Sequence, residues 1–311
     1  MRDRGLGDPA PRHVREIPSG GTRNSRAAAL LAPATVFREM RCAVSGVVQE
    51  QAVGFAERWQ EWKREREQRL AEPHGWLALV SLDWLADTPR AYPGLPGVWW
   101  QDEDAAHFDP QGADVVHEGA PVTGPLRFEL VKSGPTTRVV AGEVEIEVAR
   151  RGGYLIRVHD PAAPALGAFR GVPSYRPQPE WVLTGTFEPF DEPRPTTVGA
   201  VVEGLSHVYT APGVVRFRHG ADEHVLTAFN GTSGGLSILF TDGTSGVTTY
   251  AANRSLAVDA PAADGTVVLD FNRAVNLPCA FTDYATCPLP PEGNRLPFDV
   301  EAGELTPYER S

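Results

Sequence analysis

From Gly94 to Phe271 the chain repeats one pattern. A short apolar or alternating run is followed by a turn rich in Gly, Pro, Ser or Asp, and in the second half the runs recur about every twelve residues. The runs fall at 126–131, 138–141, 143–149 and 154–158. After a proline-interrupted connection at 161–179 they resume at 181–187, 197–202, 214–219, 224–229, 236–240, 247–250, 255–258 and 266–271. Runs this short cannot be helices of ordinary length, and each has one face to bury. Such a chain buries its faces by stacking or closing antiparallel sheets. The 31 glycines and 28 prolines fit a turn-dense β protein. The expected fold is mainly β: an antiparallel meander forming a barrel or sandwich.

One helix precedes the strands. Phe55, Trp59, Trp62 and Arg66 stand at helical spacing between charged residues, which predicts an amphipathic helix over 51–71, ended by Pro73-His74-Gly75. Residues 76–85, apolar almost throughout, read as a buried strand or short helix. Residues 50–308 read as a single β-rich domain, with 309–311 a tail. Residues 1–49 differ in composition: eight arginines, no lysine and four acids. They read as a disordered extension, or as a spurious one if translation starts at Met40. The apolar piece at 27–32 is too short for a signal-peptide core.

The net charge is −11, and with +4 on residues 1–49 the rest carries −15. That balance argues against a nucleic-acid partner or an anionic membrane surface. No run approaches the length of a membrane span. Three cysteines do not make a disulfide scaffold, which points to a reducing, cytoplasmic setting. The oligomeric state is left open.

Between the last runs lies an irregular stretch, 270–304, holding two of the cysteines and a set of Asp, Asn and Arg residues. A loop this long in a compact domain is either packed on itself or functional. It contains Asp270-Phe271-Asn272-Arg273-Ala274-Val275-Asn276-Leu277-Pro278-Cys279-Ala280-Phe281, then Thr286-Cys287-Pro288-Leu289-Pro290-Pro291, Asn294-Arg295-Leu296 and Ala302-Gly303-Glu304. This run resembles the C-terminal signature of a bacterial family known only as domain of unknown function 1684. Gly75-Trp76-Leu77, Arg157, Asp160-Pro161, Phe169-Arg170-Gly171, Thr244-Ser245-Gly246, Thr249-Tyr250 and Arg254 resemble it too, so that the likeness extends over roughly 55–308. Val275, Leu277 and Ser255 depart from the pattern. The resemblance implies no activity.

Familiar chemical motifs fail on context. Gly231-Thr232-Ser233-Gly234-Gly235 has the nucleophile-elbow spacing, but strands flank it and no histidine follows, so it reads as a hairpin turn. No paired-histidine metal motif, phosphate loop or dinucleotide fingerprint occurs, and neither a metal nor a cofactor is expected. His159-Asp160 lacks a third ligand. Cys279 and Cys287 read as packed thiols, with a disulfide, a zinc pair and a reactive thiolate as alternatives. Glu143, Glu145 and Glu147 alternate with Val144, Ile146 and Val148, which reads as a half-buried strand with its acids in water.

The candidate site is therefore the polar set at strand ends. Asp270 and Glu304 are the candidate acid or base. Arg157, Asp160, Arg170, Tyr250, Arg254, Asn272, Asn276 and Arg295 are candidates for ligand binding. Arg254 is the expected partner of Asp270. The leading reading is a metal-independent enzyme, or enzyme-like protein, acting on a small polar or anionic molecule in a pocket beside the 270–304 loop. A non-catalytic small-molecule binding module is the first alternative. A structural or interaction protein with a self-packed loop is the second.

Overall fold

The computed structural model describes residues 54–308, within one compact unit that runs from Glu50 to Ser311. The expectations for 1–49 and 309–311 lie outside the described residues. Helix α1 covers 54–70 and buries Trp59 and Leu70. The Trp59 indole N–H donates to Asn272 O at 2.8 Å, which pins the helix to the C-terminal loop.

The first half is a two-layer sandwich. One sheet has six strands: β1 (Leu79–Trp84), β4 (Val116–His117), β5 (Ala120–Pro121), β7 (Thr137–Ala141), β8 (Val144–Arg150) and β9 (Tyr154–His159). Their order is β1-β9-β8-β7-β4-β5, antiparallel throughout. The other sheet holds β2 (Val98–Gln101), β3 (Ala106–Asp109) and β6 (Leu126–Phe128). Between them Ile146, Val148, Tyr154 and Ile156 pack with Trp99, Phe108 and Phe128. Because strand side chains alternate, Glu147, Arg157 and His159 are left on the opposite face of the six-stranded sheet. That face becomes the floor of the site.

The second half is a seven-stranded antiparallel sheet: β10 (Val182–Gly199), β11 (Ser206–His219), β12 (Asp222–Asn230), β13 (Leu236–Phe240), β14 (Arg254–Val258), β15 (Thr266–Asp270) and β16 (Val275–Asn276), ordered β15-β10-β11-β12-β13-β14-β16. The sheet curls until β14 and β15 lie against each other without pairing, around a core that includes Phe217, Leu226, Ile238, Phe240, Leu256 and Phe271. Among the described residues no sheet closes into a barrel, and the sandwich-like alternative is the one found.

Two local expectations change. The runs at 181–187 and 197–202 belong to one long strand, β10, whose register shifts between Pro189 and Arg194, where proline interrupts the ladder. The run at 247–250 is a turn and not a strand. The Asp242 carboxylate there accepts from Thr244 N at 2.7 Å and from Val300 N at 3.3 Å, so the backbone is captured before it can pair. The meander also ends early: β15 returns to pair with β10, with Val182 opposite Asp270.

Candidate anion-binding cleft

A cleft of about 590 Å³ opens between the C-terminal end of α1, the Gly75-Trp76 turn and the outer face of β7, β8 and β9. Five arginines line it, Arg66, Arg69, Arg138, Arg151 and Arg157, against two acids, Glu72 and Glu147. A basic cleft in a chain that carries −15 beyond residue 49 is a local reversal of sign.

The floor is a buried triad. Glu147 and Arg157 are direct cross-strand partners on β8 and β9, and they are 6% and 2% exposed. Arg157 Nη2 donates to Glu147 Oε1 at 2.9 Å, and His159 Nε2 meets Glu147 Oε2 at 3.1 Å. Burial pushes the Glu147 carboxyl up, but the His159 hydrogen bond and the Arg157 charge outweigh it and lower the pKa to about 2. His159 Nδ1 lies 3.1 Å from Gly75 O. The Arg157 guanidinium lies over the Trp76 ring at 5.1 Å, and its buried Nε has no hydrogen-bond partner. Arg151 donates to Gly134 O at 3.1 Å and Arg150 O at 3.0 Å, both neutral carbonyls. Burial, and then the charge of Arg157, pull its pKa down, a sign of two cations held close.

The 270–304 loop forms the wall behind this cleft. Trp76, like Leu277, packs against the cluster of Cys279, Ala285 and Cys287. Cys279 and Cys287 are both buried, and Cys279 N donates to Cys287 Sγ at 3.2 Å. The Cys279 contact and burial push the Cys287 thiol far up, so it is a packing group and not a ready nucleophile. Arg66 leads from the cleft into the loop: its Nε donates to Glu304 Oε1 at 3.1 Å and its Nη2 to Asn276 O at 2.9 Å. Glu304 also accepts from Asn276 N at 2.6 Å. Burial raises the Glu304 pKa, against the lowering effects of Arg66 and the Asn276 N–H.

The residues singled out from the sequence are thus divided among several places. Arg157 is in the floor of the cleft, and Asn276 with Glu304 is one guanidinium behind it. Asp270 and Asn272 stand together as expected, since Asn272 Nδ2 donates to Asp270 Oδ1 at 2.9 Å. The expected Asp270–Arg254 pair is not formed. Asp270 pairs with Arg273 at 3.2 Å, and Arg254 with Asp242 at 2.7 Å. The reason is topological: Asp270 ends β15 on the β10 edge, whereas Arg254 opens β14 between Phe240 and Asn276. Asp160 caps the turn before α2 (Pro164–Ala168) by accepting from Ala162 N at 2.8 Å. Arg170 is exposed and donates to Gly167 O and Phe169 O, and Arg295 is exposed beyond the Thr241 bridge. Tyr250 donates to Cys279 O at 2.9 Å and lines a separate cavity of about 760 Å³ with Tyr175, Thr248 and Thr306. Among the described residues no group of three His, Cys, Asp or Glu side chains is placed to hold a metal ion.

Glu147, Arg151, Trp76 and Arg66 were not candidates on sequence. One signal for the first was present: Arg157 and His159 share a parity on their strand, and the adjacent acidic strand offers Glu145 and Glu147 to that face. The reading that put all three acids in water is corrected for Glu147, which is 6% exposed and held by Arg157 and His159 in the floor of the cleft.

Residues 167–305 match the model of the family described as protein of unknown function (DUF1684), which supports the membership that the C-terminal signature implies. The matched segment is shorter than the 55–308 of the sequence resemblance. No curated protein matches the chain. A similar solved structure is the solution NMR structure of the uncharacterized protein from gene locus rrnAC0354 of Haloarcula marismortui. It is 29% identical, the alignment covers 46% of this chain and 80% of that one, and the TM-score is 0.39. No helix among the described residues is long and apolar enough to cross a membrane.

Proposed function

Taking the family match over 167–305 as the premise, we propose that this protein binds a small anionic molecule in the arginine-lined cleft. The family segment backs the cleft, where Cys279 and Cys287 pack behind Trp76 and Glu304 pairs with Arg66, and the arginines come from the chain before it. One observation carries the reading: Arg157 is 2% exposed, shares its only carboxylate with His159, leaves Nε without a partner, and has Arg151 beside it. Buried donors without acceptors cost free energy, which an oxyanion from solvent would recover. Binding is favoured over turnover because the Glu147 carboxylate is already held by Arg157 and His159. A second reading, turnover, has Glu304 in its favour. This carboxyl, raised by burial, is linked to the cleft through Arg66, but it does not line the cleft. The setting we propose is cytoplasmic, supported by two buried thiols lying together, with neither nucleic acid nor membrane as partner because the chain is acidic.

The test is thermal shift against anionic, neutral and cationic metabolites, with calorimetric titration of the hits. Anions should raise the melting temperature of the native protein and fail to do so in Arg157→Gln. Stabilisation by neutral or cationic compounds alone, or an unchanged response in Arg157→Gln, refutes the reading. Turnover of a bound anion that Glu304→Gln abolishes without loss of binding would establish the second reading.

A further inference from the structure

We infer that the cavity of about 760 Å³ beside Tyr250 is a second binding site, built for an uncharged aromatic molecule. It shares no lining residue with the arginine cleft, and three stretches supply its walls, around 173–175, 246–251 and 305–308. None of its lining residues is Asp, Glu, Lys, Arg or His, in a chain of which 22% is charged. The buried charges next to these stretches are matched within the protein: Asp242 with Arg254 at 2.7 Å, and Glu304 with Arg66 at 3.1 Å. A charged ligand entering here would leave its water and meet no counter-ion. What the walls offer is three tyrosines, Tyr175, Tyr250 and Tyr308, together with Pro173, Val247 and Leu305. A ring gains from meeting other rings beyond the area it buries. Tyr250 spends its hydroxyl on Cys279 O, so what it brings to the cavity is its ring. The Tyr175 and Thr248 hydroxyls lie 2.6 Å apart and use one proton between them, which leaves the other for an acceptor on the ligand.

The cavity is held in shape from within. Thr306 N donates to Thr248 O at 3.0 Å, Leu305 N to Pro173 O at 2.9 Å and Tyr175 N to Gly303 O at 3.0 Å, which straps the three stretches together. The 244–249 turn is fixed by the buried ion pair: Arg254 holds Asp242, Asp242 Oδ1 accepts from Thr244 Oγ1 at 2.5 Å, and Thr244 Oγ1 lies 2.9 Å from Thr249 Oγ1. A preformed wall spares a ligand the cost of ordering it. Val247 is 80% exposed, the most exposed large hydrophobic among the described residues, and Tyr308 is 58% exposed. Apolar surface kept in water beside a preformed cavity marks a place of contact. The occupant is a small molecule and not a protein, because a stable interface takes roughly 20–30 residues a side and eleven line this cavity.

The experiment is NMR titration of the whole chain at pH 7.5 with four probes of similar size: benzyl alcohol, cyclohexylmethanol, benzoate and benzylamine. Affinities are read from the amides of 246–251 and 305–308, so that benzoate held by the arginine cleft is not counted. Benzyl alcohol should bind there at least about threefold tighter than cyclohexylmethanol, and at least about tenfold tighter than either charged probe. Ala251→Trp fills the cavity and should remove the shifts, and Val247→Asp places a charge beside it and should weaken benzyl alcohol at least about threefold. Both positions are exposed, so both variants should fold. Equal binding of cyclohexylmethanol overturns the aromatic assignment, and equal binding of a charged probe overturns the neutral one. No shift with benzyl alcohol, or an unchanged one in Ala251→Trp, overturns the site. A wild type that binds no probe, is dimeric by light scattering and becomes monomeric in Val247→Asp would make this face an interface between two copies instead.

Discussion

Two arginines in this molecule are almost equally buried and have opposite meanings. Arg254 is 0% exposed, and its guanidinium is used from within. Nη2 donates to Asp242 Oδ2 at 2.7 Å and to Val300 O at 3.1 Å, Nη1 donates to Ala302 O, and the Phe240 ring lies 5.2 Å away. Among the described residues Asp242 pairs with no cation but Arg254, and it spends its other oxygen on Thr244 and Val300. Arg157 has one hydrogen bond, to a carboxylate it shares, and it opens on a cleft. The difference teaches that burial of a charge does not mark a site, and neither does an unpartnered Nε, which both arginines have. What sets Arg157 apart is a shared carboxylate and an open cleft lined by a second arginine.

The largest effect expected from this contrast is on stability. Asp242→Ala leaves Arg254 buried without its counter-ion and should cost about 3–5 kcal/mol, read by denaturant unfolding. A loss below about 1 kcal/mol would mean that Arg254 is not the structural member of the two.

Next is pH. Glu147 is ordinarily near 4.5 and is held at about 2 in the folded protein. A depressed carboxyl contributes stability that is present above its unfolded pKa and lost as pH falls through the folded one. Wild type should therefore lose about 3 kcal/mol on this account between pH 4.5 and 2. Glu304 has the opposite sign, because its raised pKa favours the protonated form and its contribution is lost as pH rises. The acid slope of wild type minus that of Glu147→Gln isolates the first term. Equal slopes would show that the triad does not hold Glu147 ionised.

Arg157→Gln should cost less than the Asp242 change, about 1–3 kcal/mol, since one charge-assisted hydrogen bond goes and the cleft can admit water. If the two variants are equally unstable, Arg157 is as structural as Arg254. Smallest of all is Asp270→Asn. The Asp270–Arg273 pair is partly exposed, three residues apart, and worth about 0–1 kcal/mol. Melting should barely change, and anion affinity not at all. A lost ligand response would return the site to the place where the sequence put it.

How much of this was legible beforehand follows from the physics of each signal. Strand alternation is local, so β7, β8, β9 and β13 stand almost where the runs put them. The amphipathic spacing of Phe55, Trp59 and Trp62 gave α1 for the same reason. Which strand pairs with which is not local, and the Asp270–Arg254 pairing was lost there. The site was lost on a finer point. Glu147 looks like Glu143 and Glu145 in sequence, and only its place opposite Arg157 and beside His159, in the floor of the cleft, makes it different. Arg157 was found through the family resemblance. Arg151, beside it in space, has no periodic or motif signal.

One consequence follows from where α1 finds its partners. Trp59 bonds to a residue 213 positions later, and Arg66 to one 238 positions later. At ribosomal speeds of about 5–20 residues per second, the helix emerges roughly 10–40 s before the loop that shelters its tryptophans. The cleft is thus among the last features that synthesis can complete. A chain stopped before β16 has all five arginines but neither Asn276 nor Glu304 to set Arg66, so in a nascent chain the cleft lacks its mature arrangement.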